Sequence, residues 1–205
     1  MNDGLNLEEF DVSRETIDRL KVFDNILHKW NPKINLVSRA SLRESWTRHI
    51  ADSVQVFRCV QPAGYWVDLG SGGGFPGLVV AIMAADENPD IKVTLIESDQ
   101  RKSAFLRTVA RETGVKCRIL SRRIEEVPPQ DATILSARAL ADLRSLLGFA
   151  DRHLVKEGVA LFPKGATWQK EVDAARQEWS FDVEPIRSKT EPEAVILRIK
   201  GVSRA

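Results

Sequence analysis

The sequence predicts an α/β fold, with a mostly parallel seven-stranded sheet and helices on both of its faces. From residue 65 onwards, short apolar strands alternate with amphipathic helical segments, the pattern of a parallel sheet with helical crossovers. The last two strands, near residues 181–186 and 194–199, flank a short loop, so we expect an antiparallel pair that closes the sheet. Because only helical patterns precede the first strand, we expect an N-terminal helical extension over residues 1–62, packed on a ligand-binding core over residues 63–205 as one compact unit.

The composition describes an ordinary globular protein. With 205 residues, of which 43% are hydrophobic and 29% charged, the chain suits one domain with a substantial core. Its acidic N-terminus has no basic region followed by an apolar stretch, and the longest apolar run, residues 78–85, is too short to span a bilayer. Cys59 and Cys117 lack metal-ligand spacing. These observations predict a cytoplasmic protein with reduced thiols, no metal and no membrane association.

Two helices are expected in the extension. Ser13 can cap the first helix, and Asn31-Pro32 is expected to end it because the residue before a proline is biased away from helical geometry. Ser41 and Glu44 have the spacing of a capping box, which predicts that a second helix starts at Ser41.

A glycine cluster follows the first strand of the core, residues 65–69, and precedes an apolar helical run. Glycines permit positive φ angles and let a ligand approach the backbone, and free N–H groups at a helix start favour an anionic or polar ligand. The second strand ends on Glu97. An acid at this place is typical of sites that hold the ribose hydroxyls of a nucleotide-type cofactor.

The glycines fit two kinds of cofactor site. Gly70, Gly72 and Gly74 spell GxGxG, which is typical of S-adenosylmethionine methyltransferases. Gly72, Gly74 and Gly77 also spell GxGxxG, the pattern of dinucleotide-binding proteins. The glycine spacing by itself therefore leaves the cofactor open.

Three observations favour the methyl donor. The turn begins directly after Leu69, so the dinucleotide pattern would start two residues late. Asp68 stands just before the turn and can engage the cofactor region, with a turn-capping carboxylate as the alternative. Tyr65 is the only tyrosine and lies in the first strand, which excludes the Tyr-x-x-x-Lys pair of a reductase. S-adenosyl-L-methionine is therefore the predicted cofactor, with a nicotinamide as the alternative.

Polar residues converge at the carboxyl ends of the predicted strands. They are Asp68, Glu97, the loop 122–125, Arg138 and Lys164. In a parallel sheet these ends share one edge, where ligands bind. The convergence predicts an enzyme site at that edge.

Several stretches occur together in a fixed order: 30–38 (WNPKINLVS), 48–53 (RHIADS), 70–77 (GSGGGFPG), 137–139 (ARA) and 164–165 (KG). This combination resembles the RsmG family, also called glucose-inhibited division protein B, over about residues 13–175. The resemblance implies a Rossmann-like class I S-adenosylmethionine methyltransferase fold. It also implies methylation of guanine N7 in 16S ribosomal RNA, at guanine 527 in the 530 loop, with S-adenosyl-L-homocysteine as the product.

The resemblance also implies cofactor contacts. The positions at which the family contacts the cofactor are held here by Gly70, Phe75, Ile124, Glu125 and Arg138. Phe75 and Ile124 would flank the adenine, and the glycine backbone would face the methionine end. Glu97-Ser98 stands where Asp-Ser is common, and we expect the ribose contact to survive the extra methylene. Ser136-Ala137-Arg138 stands where Ser-Arg-Ala is common, which leaves the partner of Arg138 open.

The expected chemistry needs no general base. Guanine N7 is an acceptor lone pair without a proton, so catalysis would come from proximity and electrostatic preorganisation. Arg138 is the expected catalytic residue, through positioning: it would hydrogen-bond the guanine or the cofactor carboxylate, with an ion pair to a nearby acid as the alternative. His49 and Asp52 lie one helical turn apart and are expected to form a structural hydrogen-bonded pair. His28 and His153 are expected on the surface.

RNA binding is expected to depend on local patches, because a net charge of +1 and a pI of about 7.8 are low for a protein that binds naked RNA. The candidate contacts are Arg39, Arg43 and Arg48 on the helical segment, Arg122 and Arg123 beside the cofactor, and Lys164 at the far rim. The expected partner is 16S rRNA within the small ribosomal subunit or its precursor, bound by a monomer without affinity for DNA. The alternatives are a methyltransferase acting on another RNA, a protein or a small molecule, and a nucleotide-binding regulator without turnover.

Overall fold

The computed structural model describes residues 11–205, so the prediction for the acidic N-terminus lies outside the described residues. Its seven strands form one sheet in the order β3-β2-β1-β4-β5-β7-β6. The strands are β1 (Tyr65–Leu69), β2 (Lys92–Ile96), β3 (Arg118–Leu120), β4 (Ala132–Ala137), β5 (Leu154–Lys164), β6 (Trp179–Arg187) and β7 (Val195–Arg204). The first five are parallel, and β7 is antiparallel to both β5 and β6. The predicted fold class and the antiparallel closing pair are confirmed.

Helices cover both faces of the sheet, and four of the described segments precede β1. They are α1 (Arg14–Ile34), α2 (Arg39–Leu42), a π-helical segment (Trp46–Ala51), α3 (Asp52–Arg58), α4 (Gly77–Glu87), α5 (Gln100–Thr113), α6 (Leu143–His153) and α7 (Trp168–Ala175). One apolar core unites α1, α3, α4 and α5 with one face of the sheet, and a second core unites α6 and α7 with the other. Because helices cover both faces of the sheet, side chains on both sides of the central strands are buried. This explains why the sequences of these strands are continuous apolar runs.

The central strand β1 positions the site. It pairs with β2 on one side and with β4 on the other, so that Leu69 lies opposite both Ile96 and Ala137. The chain runs outwards from β1 to β3 in one direction and then returns to start β4 on the other side of β1. A crevice opens at such a switch point, at the carboxyl ends of the strands.

Helix α1 runs past the proline that was expected to end it. Ser13 caps its start as predicted, with Oγ accepting a hydrogen bond from the N–H of Thr16. The helix continues through Pro32 to Ile34, and Asn35 closes it in a left-handed conformation with its N–H donating to Asn31 O. A proline within a helix removes its own N–H bond and crowds the carbonyl four residues earlier, but in the last turn of α1 this cost does not end the helix.

The predicted capping box at Ser41 and Glu44 is wrong. Ser38 caps the short helix α2 by accepting a hydrogen bond from the N–H of Ser41, and the Ser41 hydroxyl donates back to the Ser38 carbonyl. The serine three residues earlier therefore takes the capping role. The following π-helical segment is a wide turn of the kind often found at functional sites, and it carries His49 next to Asp52.

Candidate active site

A cleft of about 450 Å³ opens at the carboxyl ends of β1, β2 and β4. It brings together most of the residues predicted for the site. Those that line it are Gly70, Gly72, Phe75, Glu97, Arg122, Arg123, Ile124, Glu125 and Arg138. Asp68, Gly74, Arg39, Arg43, Arg48 and Lys164 do not line it. Sequence reasoning missed Leu36, Val37, Lys102 and Leu140 in its wall, although Leu36 and Val37 belong to a stretch that carried the family resemblance.

The glycine loop between β1 and α4 turns with left-handed backbone conformations. Gly70 has φ +63, and a Cβ there would stand 2.6 Å from Leu140 Cδ1. Only glycine adopts this conformation without strain and also leaves room for Leu140. The loop therefore folds tightly around the end of β1 and presents its backbone to the cleft.

Glu97 is held by the backbone on two sides. Its Oε2 accepts a hydrogen bond from the N–H of Gly72 (2.8 Å), and its Oε1 accepts one from the N–H of Asp99 (2.8 Å). The side chain is nearly buried but lines the cleft. Because a carboxylate oxygen has two lone pairs, each oxygen can accept one more donor. The geometry thus leaves acceptors for a vicinal diol beside the glycine loop.

Asp68 lies behind the loop rather than in the wall of the cleft. It is fully buried, and its Oδ1 accepts a hydrogen bond from Ser136 Oγ (2.6 Å) on the neighbouring strand β4. Ser136 Oγ in turn accepts one from Trp66 Nε1 (2.9 Å). A Cβ on Gly77 would stand 2.6 Å from Asp68 Oδ2, so the start of α4 packs directly on this carboxyl group. Burial raises the pKa of Asp68 to about 6.

Phe75 joins the cleft to the helical extension. Its ring stacks on Phe23 of α1 (centroids 5.0 Å apart) and on His49 (4.9 Å), with the Arg138 guanidinium 5.2 Å from its centroid. The resemblance implied that Phe75 and Ile124 flank an adenine. Both residues line the cleft. The ring of Phe75, however, already packs on protein groups on several sides.

Arg138 is the centre of a hydrogen-bonded cluster. Its Nη2 lies 2.8 Å from His49 Nδ1, and its Nη1 donates to the Arg48 carbonyl (3.3 Å). A guanidinium only donates, so Nδ1 of His49 accepts and the ring carries its proton on Nε2. Burial and the charge of Arg138 lower the pKa of His49 to about 3, which keeps this imidazole neutral.

Asp52 has other partners than the predicted one. Its Oδ1 accepts hydrogen bonds from the hydroxyls of Ser188 and Thr190, which lie between β6 and β7. The predicted His49–Asp52 pair is therefore wrong: His49 bonds to Arg138, and Asp52 bonds to a distant loop. Nothing in the local sequence around Ser188 or Thr190 signals this contact.

A second pocket, of about 660 Å³, lies on the other side of Arg138 and Ala139, which line both cavities. Its other walls come from α2, the π-helical segment, the end of β5 and the loop before β7. Ala139 has φ 51, an uncommon conformation for a residue with a side chain. This turn after β4 brings Arg138 and Ala139 between the two cavities.

The arginines and the lysine predicted for RNA binding differ in their surroundings. Arg122 and Arg123 are exposed, and within residues 11–205 neither side chain has a hydrogen-bond or ion-pair partner. Arg39 and Arg43 are also exposed, at α2. Arg48 forms ion pairs with Glu44 (3.7 Å) and Glu191 (2.9 Å).

Lys164 lies in the wall of the second pocket, where its charge is already paired. Its side chain is 9% exposed, and Nζ bonds to Glu171 Oε2 (2.7 Å) and to the Ala141 carbonyl (2.9 Å). Its role as an RNA contact stays a prediction. His153, predicted on the surface, is fully buried at the end of α6, whereas His28 lies on the surface as expected.

Two features are absent from the described residues 11–205. These residues contain no group of three or more His, Cys, Asp or Glu side chains that could hold a metal ion. No helix in this part of the chain is long and apolar enough to cross a membrane.

The sheet order, the glycine loop and the fixed acid at the end of β2 define a class I S-adenosylmethionine-dependent methyltransferase. Solved structures have the same fold. An S-adenosylmethionine-dependent methyltransferase from Clostridium acetobutylicum is similar with a TM-score of 0.61 and 10% identity, over 87% of this chain and 98% of that one. TYW2 from M. jannaschii, in complex with AdoMet, is similar with a TM-score of 0.58 and 14% identity, over 85% of this chain and 80% of that one.

The family follows from sequence. Residues 16–195 match the GidB family, described as rRNA small subunit methyltransferase G. A relative of that name from Ruegeria sp. (strain TM1040) is 60% identical over 204 residues, covering 100% of both chains. Another, from Rhodospirillum centenum, is 50% identical over 95% of this chain and 88% of its own. The chain belongs to the rRNA small subunit methyltransferase G family, and the resemblance noted in its motifs is confirmed.

Proposed function

We propose that this protein methylates N7 of a guanine in 16S rRNA with S-adenosyl-L-methionine as the methyl donor. One observation carries the proposal: in a chain of this family, a nucleoside-sized cleft and a second pocket share the wall formed by Arg138 and Ala139. A methyl donor in the first cavity and a base in the second would meet at that wall.

The cleft fits the methyl donor. Glu97 supports the ribose hydroxyls with its remaining acceptor capacity, and Ile124 supplies an apolar contact for the adenine. The backbone of the loop at Gly70 and Gly72 faces the methionine end. When bound, S-adenosylmethionine supplies an electrophilic methyl group on a sulfonium and leaves as S-adenosyl-L-homocysteine. Glu125, beside Ile124, completes the proposed set of residues that contact the cofactor. Asp68 and Gly74 do not line the cleft and would support the glycine loop that does.

The chain supplies positioning rather than a base. Guanine N7 has no proton to lose, and the one histidine next to the shared wall, His49, has its basic nitrogen hydrogen-bonded to Arg138. Arg138 is fixed by His49, by the Arg48 carbonyl and by the face of Phe75. Such a preorganised group lowers the barrier without reorganising during the reaction.

RNA reaches the site over Arg122 and Arg123, with Arg39 and Arg43 as outer contacts. Both exposed pairs carry positive charge while the net charge of the whole chain is only +1. This distribution suits a ribonucleoprotein substrate, the small subunit or its precursor, in which protein surfaces add to the binding. We propose a monomer that works in the cytoplasm, where that substrate is assembled, without binding DNA or membranes.

The test is transfer of labelled methyl from S-adenosylmethionine to intact small subunits, to deproteinised small-subunit rRNA and to bulk transfer RNA, followed by digestion to nucleosides. We expect label in 7-methylguanosine from a small-subunit substrate. Label in another nucleoside would contradict the N7 target. No label in any RNA, with measurable cofactor binding, would move the substrate to a protein or a small molecule.

A further inference from the structure

The second pocket is large enough for a nucleobase, and its positive and negative side chains are balanced in number. Its volume of about 660 Å³ lies within the range of small-ligand sites. Three cationic side chains line it, Arg48, Arg138 and Lys164, against three acidic ones, Asp52, Glu171 and Glu191. The ion pairs Arg48–Glu191 (2.9 Å) and Lys164–Glu171 (2.7 Å) remove two charges of each sign. What remains, Arg138 with Asp52, suits a neutral base better than a phosphate.

Asp52 offers one free oxygen in this pocket. The hydroxyls of Ser188 and Thr190 both bond to Oδ1, so the carboxylate cannot rotate freely. None of the residues between 11 and 205 donates a hydrogen bond to Oδ2, and this atom is not fully buried. Burial raises the pKa of Asp52, whereas the two hydroxyls and the charges of Arg138 and Arg48 favour the ionised form. The pocket therefore contains an oriented acceptor without a partner.

Guanine is the base that matches such an acceptor. Its Watson–Crick edge presents two donors, N1–H and the N2 amino group, whereas adenine presents an acceptor at N1. Enzymes that act on an extruded base read this edge by hydrogen bonds. A guanine held in this way leaves N7, on the opposite side of the purine, free to face the shared wall. The carboxylate also compensates the positive charge that the purine gains on N7 methylation.

We propose that Asp52 is a specificity-determining residue whose free Oδ2 accepts a hydrogen bond from the N2 amino group, on the Watson–Crick edge of the target guanine, in the second pocket. This inference rests on the proposed function. Asp52, at the junction of the π-helical segment and α3, would recognise the base. Ser188 and Thr190 would orient its carboxylate.

The test compares two enzymes on two substrates. Asp52→Asn keeps a carbonyl oxygen that can accept from the two hydroxyls. It replaces the free acceptor Oδ2 by an amide NH2 group, which donates. The substrates are small-subunit rRNA, or subunits reconstituted from it, with either guanosine or inosine at the target position. Inosine keeps N7, O6 and N1–H but lacks the N2 amino group. The readouts are kcat/KM for methyl transfer and the Kd for S-adenosylmethionine.

For the wild-type protein we expect inosine to lower kcat/KM by about 10-fold, because removal of one hydrogen-bond donor leaves the carboxylate unsatisfied. Asp52→Asn is expected to lower kcat/KM on guanosine by about 10- to 100-fold, to reduce the inosine penalty to about 2-fold or less, and to leave the cofactor Kd within about 2-fold. Thr190→Val, which removes one hydroxyl and keeps the carboxylate, is the matched control and should retain the inosine penalty.

The outcomes separate the two proposals. If the wild-type protein transfers no methyl group to guanine N7, the proposed function fails before Asp52 is tested. If the wild-type protein does transfer the methyl group, equal kcat/KM values on guanosine and inosine overturn the proposed recognition of the base by Asp52. This measurement uses only the wild-type protein and does not depend on the folding of a variant. A full inosine penalty in a folded Asp52→Asn protein overturns it as well.

Discussion

Asp68 shows how the surroundings of one side chain decide its role. From sequence, an acid directly before the glycine turn is a candidate for the cofactor region. In the structure it is fully buried, bonded to Ser136 and covered by the start of α4 at Gly77. It therefore links β1 to β4 beneath the loop. Such a carboxyl group is costly to ionise, because burial disfavours its charged form.

Replacing this carboxyl group should change how stability depends on pH. The pKa of Asp68 is about 6 in the folded protein against 3.8 as its ordinary value, so the folded state takes up a proton as pH falls from about 6 towards 3.8. The wild type should thus gain about 1 to 3 kcal/mol of unfolding free energy relative to Asp68→Asn between pH 7 and pH 4. Denaturant unfolding at several pH values measures this difference.

The exposed Asp173→Asn variant is the control, and its stability relative to the wild type should vary much less with pH. A constant difference between the wild type and Asp68→Asn from pH 7 to pH 4 would show that this carboxyl group has an ordinary pKa.

At the scale of elements, α1 supports the glycine loop. Leu20, Phe23 and Leu27 of α1 are fully buried, and the ring of Phe23 stacks on Phe75 at the end of that loop. Phe23 also lies 6.2 Å from Phe105 of α5, measured between ring centroids. We propose that the described part of the predicted extension, residues 11–62, packs on residues 63–205 and so holds the cofactor cleft in shape.

Phe23→Ala should therefore affect both stability and cofactor binding. Loss of a fully buried phenylalanine costs about 3–5 kcal/mol of unfolding free energy, and the cavity would lie against the ring of Phe75. We also expect weaker S-adenosylmethionine binding by calorimetry. Val22→Ala, at a neighbouring position of α1 that is 37% exposed, is the control and should change neither quantity appreciably. If Phe23→Ala lowers stability but leaves cofactor affinity unchanged, the packing of α1 does not hold the cleft in shape.

The sequence predicted those elements whose signals are local. The alternation of strands and helices and the GxGxG turn each lie within a few residues, and the structure has the sheet that they imply. The prediction of Ser41 as a helix cap failed because Ser38, three residues earlier, also has a capping side chain and takes that role. The partners of Asp52 could not be predicted, since Thr190 lies 138 residues further along the chain. The stacking of Phe75 likewise depends on tertiary packing.

At the scale of the whole molecule, the positions of the positive side chains matter more than their number. The chain carries 30 Lys and Arg against 29 Asp and Glu, yet Arg122 and Arg123 stand exposed and unpaired among the described residues at the mouth of the cleft. Contacts to phosphates are the salt-dependent part of nucleic-acid binding. These two residues are the proposed source of that dependence here.

Arg122→Glu with Arg123→Glu should abolish methyl transfer to the small-subunit substrate and leave cofactor affinity near normal. The fall of RNA affinity with salt should also become shallower, by about 0.7 in the log–log slope for each phosphate of single-stranded RNA that the variant no longer neutralises. The control is Arg111→Glu with Arg118→Glu, because both are exposed near the amino end of β3, at the opposite end of the strands from the cleft. Normal transfer by the first double variant would exclude this surface as the RNA contact.

The wall shared by the two cavities also links their ligands thermodynamically. Arg138 and Ala139 belong to both, so a ligand that shifts this turn in one cavity changes the free energy of binding in the other. Linkage makes the effect reciprocal: the factor by which the methyl donor tightens RNA binding equals the factor by which RNA tightens the donor. The same relation holds after transfer for S-adenosylhomocysteine and the methylated base. One two-residue turn after β4 would then determine how strongly each product affects the equilibrium binding of the other.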